Sequence, residues 1–280
     1  MSSRLIAWLI LIGVVVFGLP VLNFVLKYLC APIVIWRKSR QSANPQFDET
    51  ALDQLPPEIS EAFVAAARSL AADGFTAGAH LTRQADWFAG RSYVSIWTNA
   101  ATRDLAQIIA VRVPRPDGTV KALPLLGFFY MTADGRRIVT SNNRSPSIFK
   151  PDPKADSAVF SKIGDARQLY RIHRARVARS PLANEPGVLP EPGREADWLR
   201  ATNRLELDRQ VEAGYYAFDP EENVYRKTLW GAYVMTWRML WPLKQLRLEA
   251  RERKAASVFR ELGPIDEAVT AAAHPSSAES

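Results

Sequence analysis

Residues Ser92–Ser141 read SYVSIWTNAATRDLAQIIAVRVPRPDGTVKALPLLGFFYMTADGRRIVTS, and this stretch decides the fold. Ser92–Thr98 and Leu105–Val113 are rich in β-branched and aromatic residues, and Leu105, Ile109, Val111 and Val113 fall largely on one face. Pro116-Asp117-Gly118-Thr119 is a turn, and Val120–Met131 is a long apolar strand interrupted at Pro124. Asp134-Gly135 is a two-residue hairpin signal that leads into Ile138–Ser141. With Phe75–Leu81 upstream, the pattern predicts about five strands. Connections this short predict an antiparallel meander, because a parallel pair needs a crossover of about a dozen residues or more. Such a sheet must be covered by helices on at least one face, so the fold class is α+β.

The flanking segments supply those helices. Pro56-Pro57 suits a first helical turn, and Glu58 and Glu61 favour its positive end. Ile59, Phe63, Ala66 and Leu70 recur as one buried stripe, and Gly74 ends the helix as a left-handed cap. After the loop Asn142–Ala155, Asp165 caps a helix to about Arg179, with Leu169, Ile172, His173 and Val177 as its apolar face. Ser180–Gly193 is punctuated by proline and glycine. A helix over Glu195–Ala213, a short hairpin of Tyr215–Phe218 with Val224–Lys227, and a helical stretch from Thr228 through a break at Pro242 to Leu262 complete the chain. The organisation expected is an anchor with a basic exit (1–40), a linker (41–54), a core domain (55–179), a loop (180–194), a basic C-terminal region (195–262) and a disordered tail (263–280).

The anchor rests on Leu5–Leu26, LIAWLILIGVVVFGLPVLNFVL, which holds no charge and one strongly polar residue, Asn23. Twenty-two residues at about 1.5 Å rise span roughly 33 Å, against a hydrocarbon core of about 30 Å. The expectation is a single transmembrane helix. A cleaved signal peptide fits less well, since the apolar run is too long and no small-residue cleavage site follows. Lys27, Arg37, Lys38 and Arg40 follow the run while Arg4 precedes it, which places the C-terminal bulk in the cytoplasm of a bacterium with the helix in the inner membrane.

The chain has 280 residues and a formal net charge of +7. That excess is concentrated: Arg226–Arg260 holds nine basic and two acidic residues, and Lys162–Arg179 and Lys27–Arg40 are also basic. Trp230, Trp237 and Trp241 fall near one helical face, followed by Lys244, Arg247 and Arg251. Such a segment fits the surface of an anionic leaflet. The ordinary alternative, tryptophans packed on the protein's own sheet with the arginines solvating the helix, takes precedence. Nucleic acid is set aside, because no zinc finger, RNA-binding signature or helix-turn-helix pattern accompanies the charge.

One cysteine excludes an internal disulfide framework, and His80, His173 and His274 are too dispersed for a histidine-rich metal centre. No metal or cofactor is expected. His173, flanked by Arg171, Arg174 and Arg176, is the one catalytic candidate, although its place on the apolar stripe reads first as a core histidine bonded to backbone. Thr140, Asn142 and Arg144 lie in a polar run after a strand and form a candidate anion-binding loop.

Leu55-Pro56-Pro57-Glu58, Asp73-Gly74-Phe75, Thr140-Ser141-Asn142, the His173 helix, and the Thr228, Gly231, Ala232, Thr236, Trp237, Trp241, Pro242 series together resemble an uncharacterised group of bacterial membrane-anchored α+β proteins. The resemblance covers roughly residues 50–262 and implies no reaction and no site residue. The functional expectation is a binding or scaffold module at the membrane surface, with a lipid bilayer, anionic phospholipid headgroups or another membrane protein as partner. The alternative is a membrane-tethered enzyme acting on a lipid or envelope substrate, which needs His173 to reach a pocket.

Overall fold

Strand-forming alternation along 92–141 builds the central sheet of a computed structural model that describes residues 8, 14–84, 91–114, 120–143, 145 and 147–263. In chain order the strands are β1 (Arg40–Ser42), β2 (Asp48–Glu49), β3 (Thr76–Gln84), β4 (Arg91–Asn99), β5 (Asp104–Pro114), β6 (Val120–Met131), β7 (Arg137–Ser141), β8 (Ala155–Val159), β9 (Tyr216–Asp219) and β10 (Val224–Lys227). The fold is α+β. Strands β2 to β8 form one seven-stranded sheet in sequence order, and β1, β10 and β9 form a second, three-stranded one. All neighbours in the large sheet are antiparallel except β7 and β8, which run parallel.

Seven strands replace the five expected. Strand β2 is two residues long, and Ala-Asp-Ser-Ala-Val in β8 lacks an apolar alternation that would mark it. The parallel step needs no helix, because the irregular loop 142–154 carries the chain back to the start of β7. The turn expected at Pro116–Thr119 lies outside the described residues.

The helices are α1 (Leu19–Phe24), α2 (Ala31–Lys38), α3 (Pro57–Ala72), α4 (Ala166–Arg179), α5 (Glu195–Glu212), α6 (Leu229–Arg238) and α7 (Leu243–Leu262). Asp165 accepts a hydrogen bond from the Gln168 amide at 2.7 Å, and the Thr228 side chain accepts from the Gly231 amide, so α4 and α6 begin on side-chain caps. Gly74 ends α3 with φ of 84°, a conformation that costs a residue with a Cβ. Helices α3 and α4 cover one face of the sheet through Ile59, Phe63, Leu70, Leu169 and Ile172, with the end of α7 joining at Leu262. Both faces are covered, since Ala196, Trp198 and Leu199 of α5 pack on Ile96, Leu105 and Phe129 on the other side. A separate core around Leu207, Tyr216, Tyr225 and Met235 holds the small sheet.

Two hairpin turns share one construction. Asn99 Oδ1 accepts from the amides of Ala101 (3.1 Å) and Thr102 (3.2 Å), and Arg103 then takes φ of 59°. Between β9 and β10, Asp219 Oδ1 accepts from the amides of Glu221 and Glu222, both at 3.2 Å, and Asn223 takes φ of 53°.

The N-terminal expectation is corrected. Among the described residues no helix is long and apolar enough to cross a membrane. Residues 14–38 are helical in four abutting stretches of alternating type: a π-type stretch over Val14–Gly18, α1, a second π-type stretch over Val25–Cys30, and α2. Pro20 and Pro32 remove amide donors from the ladder, and Lys27 places a charge within the second π-type stretch. The apolar part, 14–26, extends only about 20 Å at helical rise. Residues 5–7 and 9–13 of the expected transmembrane helix lie outside the described residues, as does the expected tail over 264–280. The readings of a transmembrane helix, of a single-pass membrane protein and of an inner-membrane location with a cytoplasmic domain therefore fall.

Candidate functional site

Helix α4 places its polar residues against the start of β5 and the middle of β7, where they form a buried network. His173 is fully buried and stacks on Phe128 at a centroid distance of 5.9 Å. Its Nδ1 lies 3.0 Å from Thr140 Oγ1, which also accepts from Arg176 at 2.7 Å. The Thr140 hydrogen is therefore free to point at Nδ1, which makes Nδ1 the acceptor and leaves the proton on Nε2. That Nε2 faces Asp104 Oδ1 at 3.5 Å, beyond a normal hydrogen bond. Asp104, also fully buried, accepts from the Tyr170 hydroxyl at 2.9 Å and from Arg174 at 3.2 and 3.3 Å. Arg176 extends the network to the Val139 carbonyl (2.6 Å) and to Asp156 (2.8 Å).

Burial holds the His173 imidazole below its ordinary pKa, and the nearby Arg176 and Arg174 charges push the same way against Asp104. Burial pushes the Asp104 carboxyl up, but the His173 contact and the Arg174 guanidinium outweigh it and hold it below the ordinary carboxylate value. The two shifts describe a neutral imidazole beside an ionised carboxylate. Burial likewise raises the Tyr170 hydroxyl, and the Asp104 charge adds to that. The network holds protons in fixed places, yet neither His173 nor Asp104 exposes any side-chain surface. His173 therefore cannot touch a substrate, and the enzyme reading loses its one candidate.

Two residues of the expected anion loop are taken up by other partners. Thr140 is fully buried against His173, while Asn142 pairs with Leu126 through its side chain (2.8 Å) and its amide (3.0 Å). Arg144 lies outside the described residues. The sequence pattern does not single out Asp104 as a site residue. The signal that could have found it is parity, since it shares the face of Ala106, Ile108 and Ala110, all buried core.

The C-terminal block divides into two parts. Helix α6 lies against the helical stretch 14–38: Tyr233 donates to the Leu29 carbonyl (3.0 Å), Trp237 Nε1 to the Tyr28 carbonyl (2.9 Å), and the Tyr28 hydroxyl to the Trp241 carbonyl. Helix α6 stops at Arg238, so Trp241 leaves the common face that a continuous helix would give it. Trp230 and Trp241 are 64% and 75% exposed, against 39% for Trp237. Lys244 is exposed. Arg247 donates to the Ser147 carbonyl (3.0 Å), and Arg251 to those of Ser145 (2.6 Å) and Asn143 (3.2 Å), so both arginines tie α7 to the loop after β7. Burial lowers the pKa of both.

Beside this block, Val15, Val16, Leu19, Val21, Leu22 and Phe24 are all exposed. Taking Val21 as 0°, Leu22 and Phe24 point to about 100° and 300° around the axis, so the apolar surface surrounds the helix. Lys27, Arg37 and Lys38 stand exposed toward its polar end with Trp36. A different recess, of about 530 Å³, opens where the β4–β5 turn meets α4, lined by Thr102, Arg103, Tyr130, Tyr170, Arg174 and Gly187 among others.

No family model, curated protein or solved structure matches the chain. Its fold and surfaces define it as an α+β protein with a buried charged network and one strongly apolar exposed helix.

Proposed function

We propose that the protein is a binding module that attaches to a lipid surface by sinking its apolar helix among acyl chains. The observation that carries this is the all-round exposure of Val15, Val16, Leu19, Val21, Leu22, Phe24 and Leu26. A protein groove covers one face of a helix, whereas a fluid apolar medium covers every face. An apolar segment of this length suits an interfacial position. Exposed Trp36, Trp230 and Trp241 supply rings of the kind that sit at headgroup level, and Lys27, Arg37, Lys38 and Lys244 supply charge for anionic headgroups.

The test is flotation of the full chain with vesicles of phosphatidylcholine, with and without phosphatidylglycerol. Binding is expected to strengthen with the anionic lipid and to weaken as salt rises. Trp230→Ala with Trp241→Ala should reduce partitioning about tenfold, and Leu22→Asp with Phe24→Asp should abolish it. A chain that ignores vesicles but forms an oligomer dispersed by Leu22→Asp would assign the helix to a second copy and overturn the proposal.

A further inference from the structure

The two turns of like construction differ at one position. Both place an Asx side chain over the next amides and then need a residue in the left-handed region. Asn223 is a residue that adopts this conformation readily, with its short polar side chain. Arg103 is not, and its Cβ makes the conformation unfavourable. A long cation held in a conformation better suited to glycine or asparagine directs attention to what its side chain does.

That side chain stands at the recess of about 530 Å³. Among the described residues the Arg103 guanidinium has no hydrogen bond or ion pair, and the residue is exposed. Arg174 lines the same recess and uses only NH1 on Asp104, which leaves Nε and NH2 for another acceptor. The other polar groups are committed. Tyr170 donates to Asp104, so its oxygen accepts from Thr102 at 3.0 Å, and the Tyr130 hydroxyl donates to the Glu185 carbonyl. Asp104 is offset by Arg174, and Asp73 by Arg167 at 3.5 Å, which leaves the Arg103 charge uncompensated. The wall is brought close by Gly187, where a Cβ would meet that of Arg103 at 2.7 Å and the Tyr130 ring at 2.9 Å.

We propose that this recess binds a phosphate monoester, its phosphate held between the Arg103 and Arg174 guanidiniums. Two guanidinium forks side by side match the three terminal oxygens and near-double charge of a phosphate monoester better than the two oxygens and single charge of a carboxylate. The recess is wide enough for an organic group beyond the phosphate. This site is separate from the lipid-facing helix and does not depend on that reading.

The test uses the full chain at constant ionic strength, with phenyl phosphate, inorganic phosphate and benzoate as probes, read by calorimetry and thermal unfolding. Phenyl phosphate should bind most tightly and benzoate at least tenfold more weakly. Arg103→Asn, which copies the other turn, should raise the ligand-free midpoint by about 2 °C while weakening phenyl phosphate at least tenfold. Arg103→Lys should retain part of the affinity without that gain. Vesicles carrying phosphatidic acid form a second arm, run in the Leu22→Asp, Phe24→Asp background in which the apolar helix no longer attaches: capture there that Arg103→Asn abolishes, with no binding of phenyl phosphate, assigns the phosphate to a lipid headgroup. Unchanged affinity for phenyl phosphate in Arg103→Asn, equal binding of benzoate, or no binding in either arm overturns the proposal.

Discussion

Helix α4 and the C-terminal block of α6 and α7 are both rich in arginine, and the fold uses them in opposite ways. In α4, Arg174 and Arg176 turn inward, to Asp104 at 3.2 Å and Asp156 at 2.8 Å, with side-chain exposures of 23% and 4%. In α7, Arg247 and Arg251 reach neutral carbonyls of one loop, and Trp230 and Trp241 of the same block stand in the open. The difference lies in what faces each helix. Strands β5 and β8 present carboxylates to Arg174 and Arg176, whereas Asn143, Ser145 and Ser147 present backbone oxygens to Arg247 and Arg251, and Lys254 of α7 shares Asp156 at 3.3 Å. A buried charge without its partner is expensive, while a half-exposed one is rehydrated.

The comparison can be broken most severely at Asp104. Asp104→Ala removes the acceptor shared by Tyr170 and Arg174 and is expected to cost about 3–5 kcal/mol in urea unfolding. A loss below about 1 kcal/mol would mean that the network contributes little to holding α4 on the sheet.

Acidification probes the same contrast. The folded His173 pKa lies below the ordinary 6.5, so its contribution is intact above that value and declines as pH falls below it. Burial lowers His80 as well, in the same direction. Stability should decline between pH 6.5 and 5 by at most about 1.4 kcal/mol per pH unit for each such group. His173→Gln, neutral throughout, should flatten this slope in denaturant titrations. An unchanged slope would assign the pH response elsewhere. Asp104, also held below its ordinary value, contributes in the same sense only under still more acidic conditions.

The C-terminal block should respond weakly. Arg251→Ala removes two bonds to loop carbonyls and is expected to cost about 1 kcal/mol, with faster amide exchange confined to residues 143–147. Trp230→Ala should change stability by no more than about 0.5 kcal/mol, since its ring packs little, although vesicle binding falls. A larger stability loss from Trp230→Ala than from Asp104→Ala would reverse the assignment of the two regions.

Much of the architecture was legible because strand alternation and helix caps are local. Asp165 and Thr228 cap helices where hydroxyl and carboxylate chemistry predicts, and the meander follows turn spacing. The N-terminal run illustrates the limit of such reading. Apolar composition sets the cost of exposing residues 14–26 to water, but it does not show that the backbone alternates π-type and α-type stretches, with Pro20 and Pro32 each removing an amide donor. Trp241 shows the same limit, because a helix that ends at Arg238 breaks the periodicity that groups it with Trp237.

The sequence by itself determined the α+β class, the turns and the segments where positive charge is concentrated, since each depends on residues a few positions apart. Only the tertiary structure decided which charges meet. Asp104 and His173 are 69 positions apart in the sequence and lie 3.5 Å apart because β5 and α4 pack on the same face. The parallel β8 and the partners of His173 were likewise decided by long-range packing, whereas the burial of His173 was already legible from its place on the apolar stripe. Local sequence sets what each residue can do, and only the closed fold sets what stands opposite it.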